Sequence, residues 1–312
     1  MKGFCKSIIS AITVAAIAVV LSASQARAAI TVDGTADGDY GSALAVQNTQ
    51  TGFGDSNLGQ VGFANGSELD QGFGVIQGGT LYLTLAGNLE SNFNKLEIFL
   101  DTGAGGQNQL RGDNAGVDFN GLNRMGNDGS GNGLKFDTAF TASHWIGVTV
   151  GGGTPTIFAN YAVLLPAGGG PGFFLGSATP GGSAVLSGGD VGAPAVQLQL
   201  NNINVAGVTG GSGADSGAGV TTGIELAISL ADLGNPTGPI KVSAFINGSG
   251  HDFLSNQVLG GIGGGGNLGE PRTADFSAIA GDQFFTVVPE PSTIGLVITG
   301  LLGALAIRRR KV

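Results

Sequence analysis

Thr80-Leu-Tyr-Leu-Thr-Leu-Ala86 and, further on, Val196-Gln-Leu-Gln-Leu200 alternate apolar with polar side chains. Successive side chains of an extended chain point to opposite faces, so a period of two marks a strand with one face in a core and one toward water. Lys95-Leu-Glu-Ile-Phe-Leu100, Thr156-Ile-Phe-Ala-Asn-Tyr-Ala-Val-Leu164, Gly223-Ile-Glu-Leu-Ala-Ile-Ser229 and Ile240-Lys-Val-Ser-Ala-Phe-Ile246 repeat the pattern. Glu97 and Glu225 alternate with apolar neighbours there, which places them on outward strand faces. Amphipathic helical patterns are nearly absent between residues 29 and 286; Ser229-Leu-Ala-Asp-Leu233 suits a single turn after a strand. Glycine supplies 60 of 312 residues, far above the usual ~7%, and clusters at Gly151-Gly-Gly153, Gly168-Gly-Gly170 and residues 263–266. Such clusters break a chain into short strands joined by turns. No fixed repeat emerges, so a solenoid or propeller has no support. The expectation is an all-β protein: a single Gly-rich antiparallel β-sandwich of jelly-roll type, long enough to bury a core without staples.

Both ends of the chain read differently from this body. Lys2 and Lys6 precede an apolar run over residues 8–21, and Ala26-Arg27-Ala28 forms an A-x-A cleavage site, the layout of a signal peptide over residues 1–28. Cys5, the sole cysteine, is removed with it, which leaves the exported chain no thiol, disulfide or zinc–thiolate site. The other end reads Val288-Pro289-Glu290-Pro291-Ser292-Thr293, then an apolar run, then Arg308-Arg309-Arg310-Lys311. Both prolines fix φ and lack an N–H, so the motif is held extended and exposed. Residues 294–307 number 14; as a helix they cover about 21 Å of a hydrocarbon core about 30 Å thick. Starting the helix at residue 292 and letting Arg308 snorkel makes a marginal transmembrane span, over 292–307. The basic stop then lies in the cytoplasm and the body outside.

Motif, apolar run and basic stop, in that order over residues 287–312, resemble the PEP-CTERM sorting signal. The resemblance implies recognition by exosortase, a membrane protease-transpeptidase of Gram-negative bacteria that make extracellular polysaccharide. It further implies export across the inner membrane by the secretion machinery, a transient hold on the membrane through the C-terminal helix, and release to the cell surface or beyond. Similar tails occur on some ice-binding proteins, but the body lacks the Thr-x-Thr ladder of a flat ice face. The domain order expected is thus a signal peptide (1–28), a sandwich body (29–286) and a sorting tail (287–312). Within the body, the series Ile30-Thr-Val-Asp-Gly34, Leu81-Tyr-Leu-Thr-Leu85, Ile98-Phe-Leu-Asp-Thr102, Ile224-Glu-Leu-Ala-Ile-Ser-Leu230 and Asp252-Phe-Leu-Ser-Asn-Gln257 is similar to the carbohydrate-binding family 9 and DOMON-like sandwiches. In the former, aromatic side chains clamp a sugar. Trp145 is the single tryptophan, so such a clamp cannot consist of two indoles here.

Charge narrows the partners. Residues 29–288 carry 6 basic against 21 acidic side chains, a net charge of −15 that the whole-chain value of −9 conceals. A body this acidic repels nucleic acid and anionic lipid. Within the Asn- and Asp-rich stretch 101–137, Asp128-Gly-Ser130-Gly-Asn132-Gly133 spaces its oxygens as a calcium loop does, at positions 1, 3 and 5 with glycine at 6. Position 12 is Ala139, so Asp137 has to stand in for the missing bidentate ligand. Calcium is the one cofactor invited; a solvated turn loop is the plainer reading. Asp33, Asp37 and Asp39 suit a strand-end turn. Catalysis finds little support: neither His144, beside Trp145, nor His251, beside Asp252, belongs to a hydrolase motif, although His251-Asp252 offers half a triad. Phenylalanine outnumbers tyrosine and tryptophan, 17 to 3 and 1, which favours core over sugar platform. Trp145, Tyr82 and Tyr161 are the candidate platform if they share a face. The function expected is a non-enzymatic surface or matrix protein that associates with extracellular polysaccharide in a biofilm, the alternative being a secreted polysaccharide hydrolase.

Overall fold

The alternating segments pair as their pattern demands. The computed structural model describes residues 29–53, 66–204 and 217–289, in which Ile30–Pro289 form one compact unit. The smaller of two sheets has the order β1 (Ala45–Val46), β2 (Glu68–Gln77), β3 (Thr80–Asn88), β10 (Gly223–Ser229) and β9 (Gln197–Leu200). The larger runs β12 (Leu254–Val258), β11 (Ile240–Asn247), β4 (Lys95–Asp101), β5 (His144–Gly151), β6 (Thr156–Val163), β7 (Gly172–Ala178) and β8 (Ser187–Gly188), with β13 (Phe285–Val287) also beside β11. Neighbouring strands are antiparallel in both sheets. Leu81, Leu83 and Leu85 of β3 share one buried cluster with Leu96, Ile98 and Leu100 of β4 and Ile146, Val148 and Val150 of β5. Burying each such side chain stabilises the fold by about 1.5–3 kcal/mol. Ser229 to Gly234 forms the expected tight turn, closed by Leu233 N–H to Leu230 C=O.

The body reaches beyond residue 286. Phe285 and Val287 of β13 fill space that β2 leaves open: a Cβ on Gly72 would lie 2.6 Å from the Phe285 ring, and one on Gly74 2.4 Å from Val287. Val288 is exposed, so the sorting motif begins where the last strand ends. The signal peptide, the helix over 292–307 and the basic stop lie outside the described residues. Among the described residues no helix is long and apolar enough to cross a membrane.

A wet outer face was expected on each strand, and both sheets depart from it. Gln199 is buried: its amide donates to Thr179 and Ser183 carbonyls and accepts from Gly181 N–H, holding the loop that packs on β9. On the smaller sheet the N-terminal segment lies over the outer face, with Ile30, Ala36 and Tyr40 packed on Phe73, Val75 and Ala86. Glu225 points outward from β10 as expected but is fully buried beneath this segment. Its carboxylate accepts backbone N–H groups from Asp33 (2.7 Å), Gly34 (2.9 Å) and Thr35 (3.3 Å), and the Tyr40 hydroxyl at 2.7 Å. Burial raises its pKa and these donors oppose the rise. Replacing Glu225 with alanine strands those donors, so Glu225→Ala should lower unfolding free energy by about 3 kcal/mol in urea titration. A loss below about 0.5 kcal/mol, the scale of an ordinary surface change, would contradict the role given to it.

Candidate functional site

The outer face of the larger sheet carries large aromatics instead of polar groups. Phe99, Trp145 and Phe245 project from β4, β5 and β11 away from the inter-sheet core. They are covered by Leu110, Leu122, Met125, Leu134, Phe136 and Phe140 from the 102–143 excursion and by Phe276. Ring centroids of Phe99 and Phe136 lie 4.8 Å apart, those of Phe245 and Phe276 5.6 Å. The stretch that reads as a polar loop is therefore a cover with an apolar underside. Ion pairs fasten it: Arg124 meets Glu270 with two bonds of 2.8 and 2.7 Å, Lys135 meets Asp275 at 2.8 Å, and Arg272 meets Asp128 at 2.6 Å. The guanidinium of Arg124 holds the Glu270 carboxyl down at about 2.

Beneath this cover lies a buried group of four charges. Glu97, fully buried on β4, accepts from Trp145 Nε1 at 2.8 Å and contacts His251 Nδ1 at 2.6 Å. His251 Nε2 lies 3.0 Å from Asp118 Oδ2, which also accepts Lys95 Nζ at 2.8 Å. With a carboxylate at each ring nitrogen, both nitrogens donate and the imidazole is cationic. Burial alone would lower the His251 pKa, but Glu97 and Asp118 outweigh it and push it up to about 9. Asp118 balances in the opposite sense: burial raises its pKa, while His251 and Lys95 bring it below the usual carboxylate range. The quartet is neutral overall, two cations against two anions. A Cβ on Gly121 would lie 2.1 Å from the His251 ring, so only glycine fits beside it.

Two of the four, Asp118 and His251, also carry backbone strain. Among the described residues, Phe93, Asp118, Phe119, Asn120, Asn235 and His251 are the non-glycine residues with positive φ, between 47° and 70°. Left-handed backbone costs a non-glycine residue roughly 1–2 kcal/mol, and such strain concentrates at ligand clamps. All but Asn235 line two clefts that meet at Phe119. The larger, about 600 Å³, is walled by Phe93, Phe119, Phe158 and Phe174, with Lys95, Asn160 and Asp190 among its polar groups. The smaller, about 480 Å³, adds Asn120, Arg124, Ser249, His251 and Arg272. Phe119 is fully exposed and half of Phe93 is open to solvent. Phe119 is thus an exposed aromatic in left-handed backbone, next to a carboxylate that Lys95 and His251 pin from two sides.

The residues anticipated from sequence are not gathered here. Trp145 lies under the cover, Tyr161 in the inter-sheet core, and Tyr82 against the N-terminal segment on the other sheet. Opposite strand parity and different sheets separate them, so they form no platform. In the proposed calcium loop, Asp128 pairs with Arg272 and accepts from Ser130 N–H, Ser130 Oγ accepts from Asn132 N–H, and Asn132 is exposed. Asp137 is buried with its carboxylate on Gln283 N–H. Oxygens that were expected to converge thus serve separate contacts, and among the described residues no three His, Cys, Asp or Glu side chains cluster as metal ligands. His251 pairs with Glu97 and Asp118 instead of the exposed Asp252. His144 is buried against Ser143 Oγ, and burial lowers its pKa to about 4. Ala26, Ala28, Glu290, Pro291, Ser292, Thr293 and Arg308 to Lys311 lie outside the described residues.

Comparison with known proteins identifies the tail. Residues 287–311 match the PEP-CTERM protein-sorting motif, which implies exosortase processing, export and sorting toward the cell surface. No curated protein and no solved structure matches the chain.

The quartet makes stability depend on pH. His251 is raised from an ordinary value of ~6.5 to about 9, so its contribution is complete below the first value and is lost as pH rises through the second. The melting temperature of the purified protein should fall across that interval, and His251→Gln should start lower and flatten the fall. An equally steep fall in the variant would assign it to other groups.

Proposed function

We propose that the chain is an exported, non-enzymatic surface protein of a Gram-negative bacterium, released by exosortase after a transient hold on the membrane, that associates with extracellular polysaccharide through its Phe-walled cleft. The observation that carries this reading is the sorting motif at residues 287–311. The signal-peptide pattern of residues 1–28 and the marginal 14-residue apolar run agree with it. The cleft's aromatic walls favour sugar stacking, since the C–H faces of a pyranose are apolar while its hydroxyls stay wet. Binding is favoured over hydrolysis by the state of the carboxylates. Glycoside cleavage needs two free carboxyl groups flanking the bond. Asp118 is spent on Lys95 and His251 and Glu97 is sealed behind them, which leaves Asp190, among the described residues, as the single carboxylate lining the larger cleft without a cationic partner.

Two measurements check this. Terminal peptide mapping of the native extracellular protein should find a mature start near Ala29 and no peptide from 308–311; an intact basic end would mean a retained anchor. The purified body should co-sediment with the producer's own polysaccharide, in parallel with and without calcium, and release no reducing ends. An aromatic contact contributes about 0.5–1.5 kcal/mol, so Phe119→Ala should weaken binding up to about tenfold. Absence of binding in both calcium conditions would remove the polysaccharide association, and reducing-end release would favour a hydrolase.

A further inference from the structure

We infer that the glycan held in the Phe-walled cleft bears protonated amines, as an amino-sugar polymer does, and is not a uronate- or phosphate-bearing polyanion. This rests on the polysaccharide reading above and adds the ligand's charge. All six basic side chains of residues 29–289 already have carboxylate partners: Lys95 with Asp118, Arg111 with Asp113, Arg124 with Glu270, Lys135 with Asp275, Lys241 with Asp101 and Arg272 with Asp128, at 2.6–3.6 Å. Lys95 is the one of the six that lines the larger cleft, and Asp118 neutralises it. An anionic polymer therefore meets no unmatched cation there. It must also approach a body whose 6 basic and 21 acidic side chains leave it at −15, against the field.

An ammonium group finds the reverse. Phe93, Phe119, Phe158 and Phe174 line the cleft, and an aromatic face attracts a cation within about 6 Å of the ring centre through its negative quadrupole. Asp190 supplies a carboxylate at the same cleft. The field of the whole body raises the local concentration of a cationic polymer and speeds its approach. A neutral sugar gains only the stacking, so charge complementarity selects the amine.

Calorimetric titration of the purified protein with three oligosaccharides of equal length tests this: a glucosamine oligomer kept protonated, its N-acetylated counterpart, and an oligouronate. The protonated amine should bind at least about tenfold tighter than the acetylated form, weaken with added salt, and give way in Phe119→Ala; the uronate should give no heat. Phe119 is fully exposed, so this variant keeps the fold. If the acetylated form or the uronate binds as tightly and Phe119→Ala weakens it, the amine inference falls while the polysaccharide reading stands. Amine binding indifferent to Phe119→Ala is charge attraction elsewhere on the body and overturns the site. Failure of all three oligomers, together with failure to retain the producer's polysaccharide, removes both.

Discussion

The arrangement around the clefts depends on one buried electrostatic contact, the imidazolium of His251 between Glu97 and Asp118. Glu97 is fixed by its place on β4 and by the Trp145 indole. His251 carries that fixed point outward to Asp118, and Lys95 balances the remaining charge. Without the imidazolium, two carboxylates would share a buried site with a single ammonium. Removing one partner from a buried pair costs about 3–5 kcal/mol because the other charge stays uncompensated. That is enough to hold three consecutive left-handed residues, Asp118 to Asn120, in a conformation they would otherwise leave. Phe119 faces solvent as a consequence.

The two sheets solve the same problem in two ways. A sandwich whose outer faces carry Phe, Trp and Val must cover them, and each cover is tied down by an outward glutamate. Glu225 receives backbone donors from the N-terminal segment, and no basic side chain takes part. Glu97 works through a histidine, on the side where all six cations of the body also lie in ion pairs. The positive charge of the body is thus spent on one cover, and the acidity left over belongs to the surface. Isolated exposed pairs such as Arg111–Asp113 add little to stability; the buried quartet and the bidentate Arg124–Glu270 pair carry the specificity of the cover.

Much of the sheet framework was legible in the sequence. β3, β4, β6, β10 and β11 alternate because one side of each faces the inter-sheet core. β2 was hidden because its glycines, Gly72 and Gly74, are the space that Phe285 and Val287 occupy from more than 200 positions away. β5 was hidden because its outward positions carry Trp145 and Gly147, where β4 and β10 carry glutamate, so little polarity marks its second face. The sorting tail was legible because its three parts are contiguous. The clefts were not, since Phe93 and Lys95, Asp118 and Phe119, and His251 come from three separate segments. A local signal did exist: Asn92-Phe93-Asn94 and Asp118-Phe119-Asn120 each set a phenylalanine between Asn or Asp residues, the types that best tolerate tight left-handed turns. Outward glutamates were placed on the right face, but burial by a second layer leaves no trace in a period of two.

Native-state hydrogen exchange on Glu97→Gln tests the central role of the quartet most directly. Loss of the Glu97 charge should raise exchange at the amides of residues 117–125 and 248–254 while β3, β4 and β10 keep their protection. Unchanged protection over 117–125 would contradict it, because the strained turn would then be held by something other than these four charges.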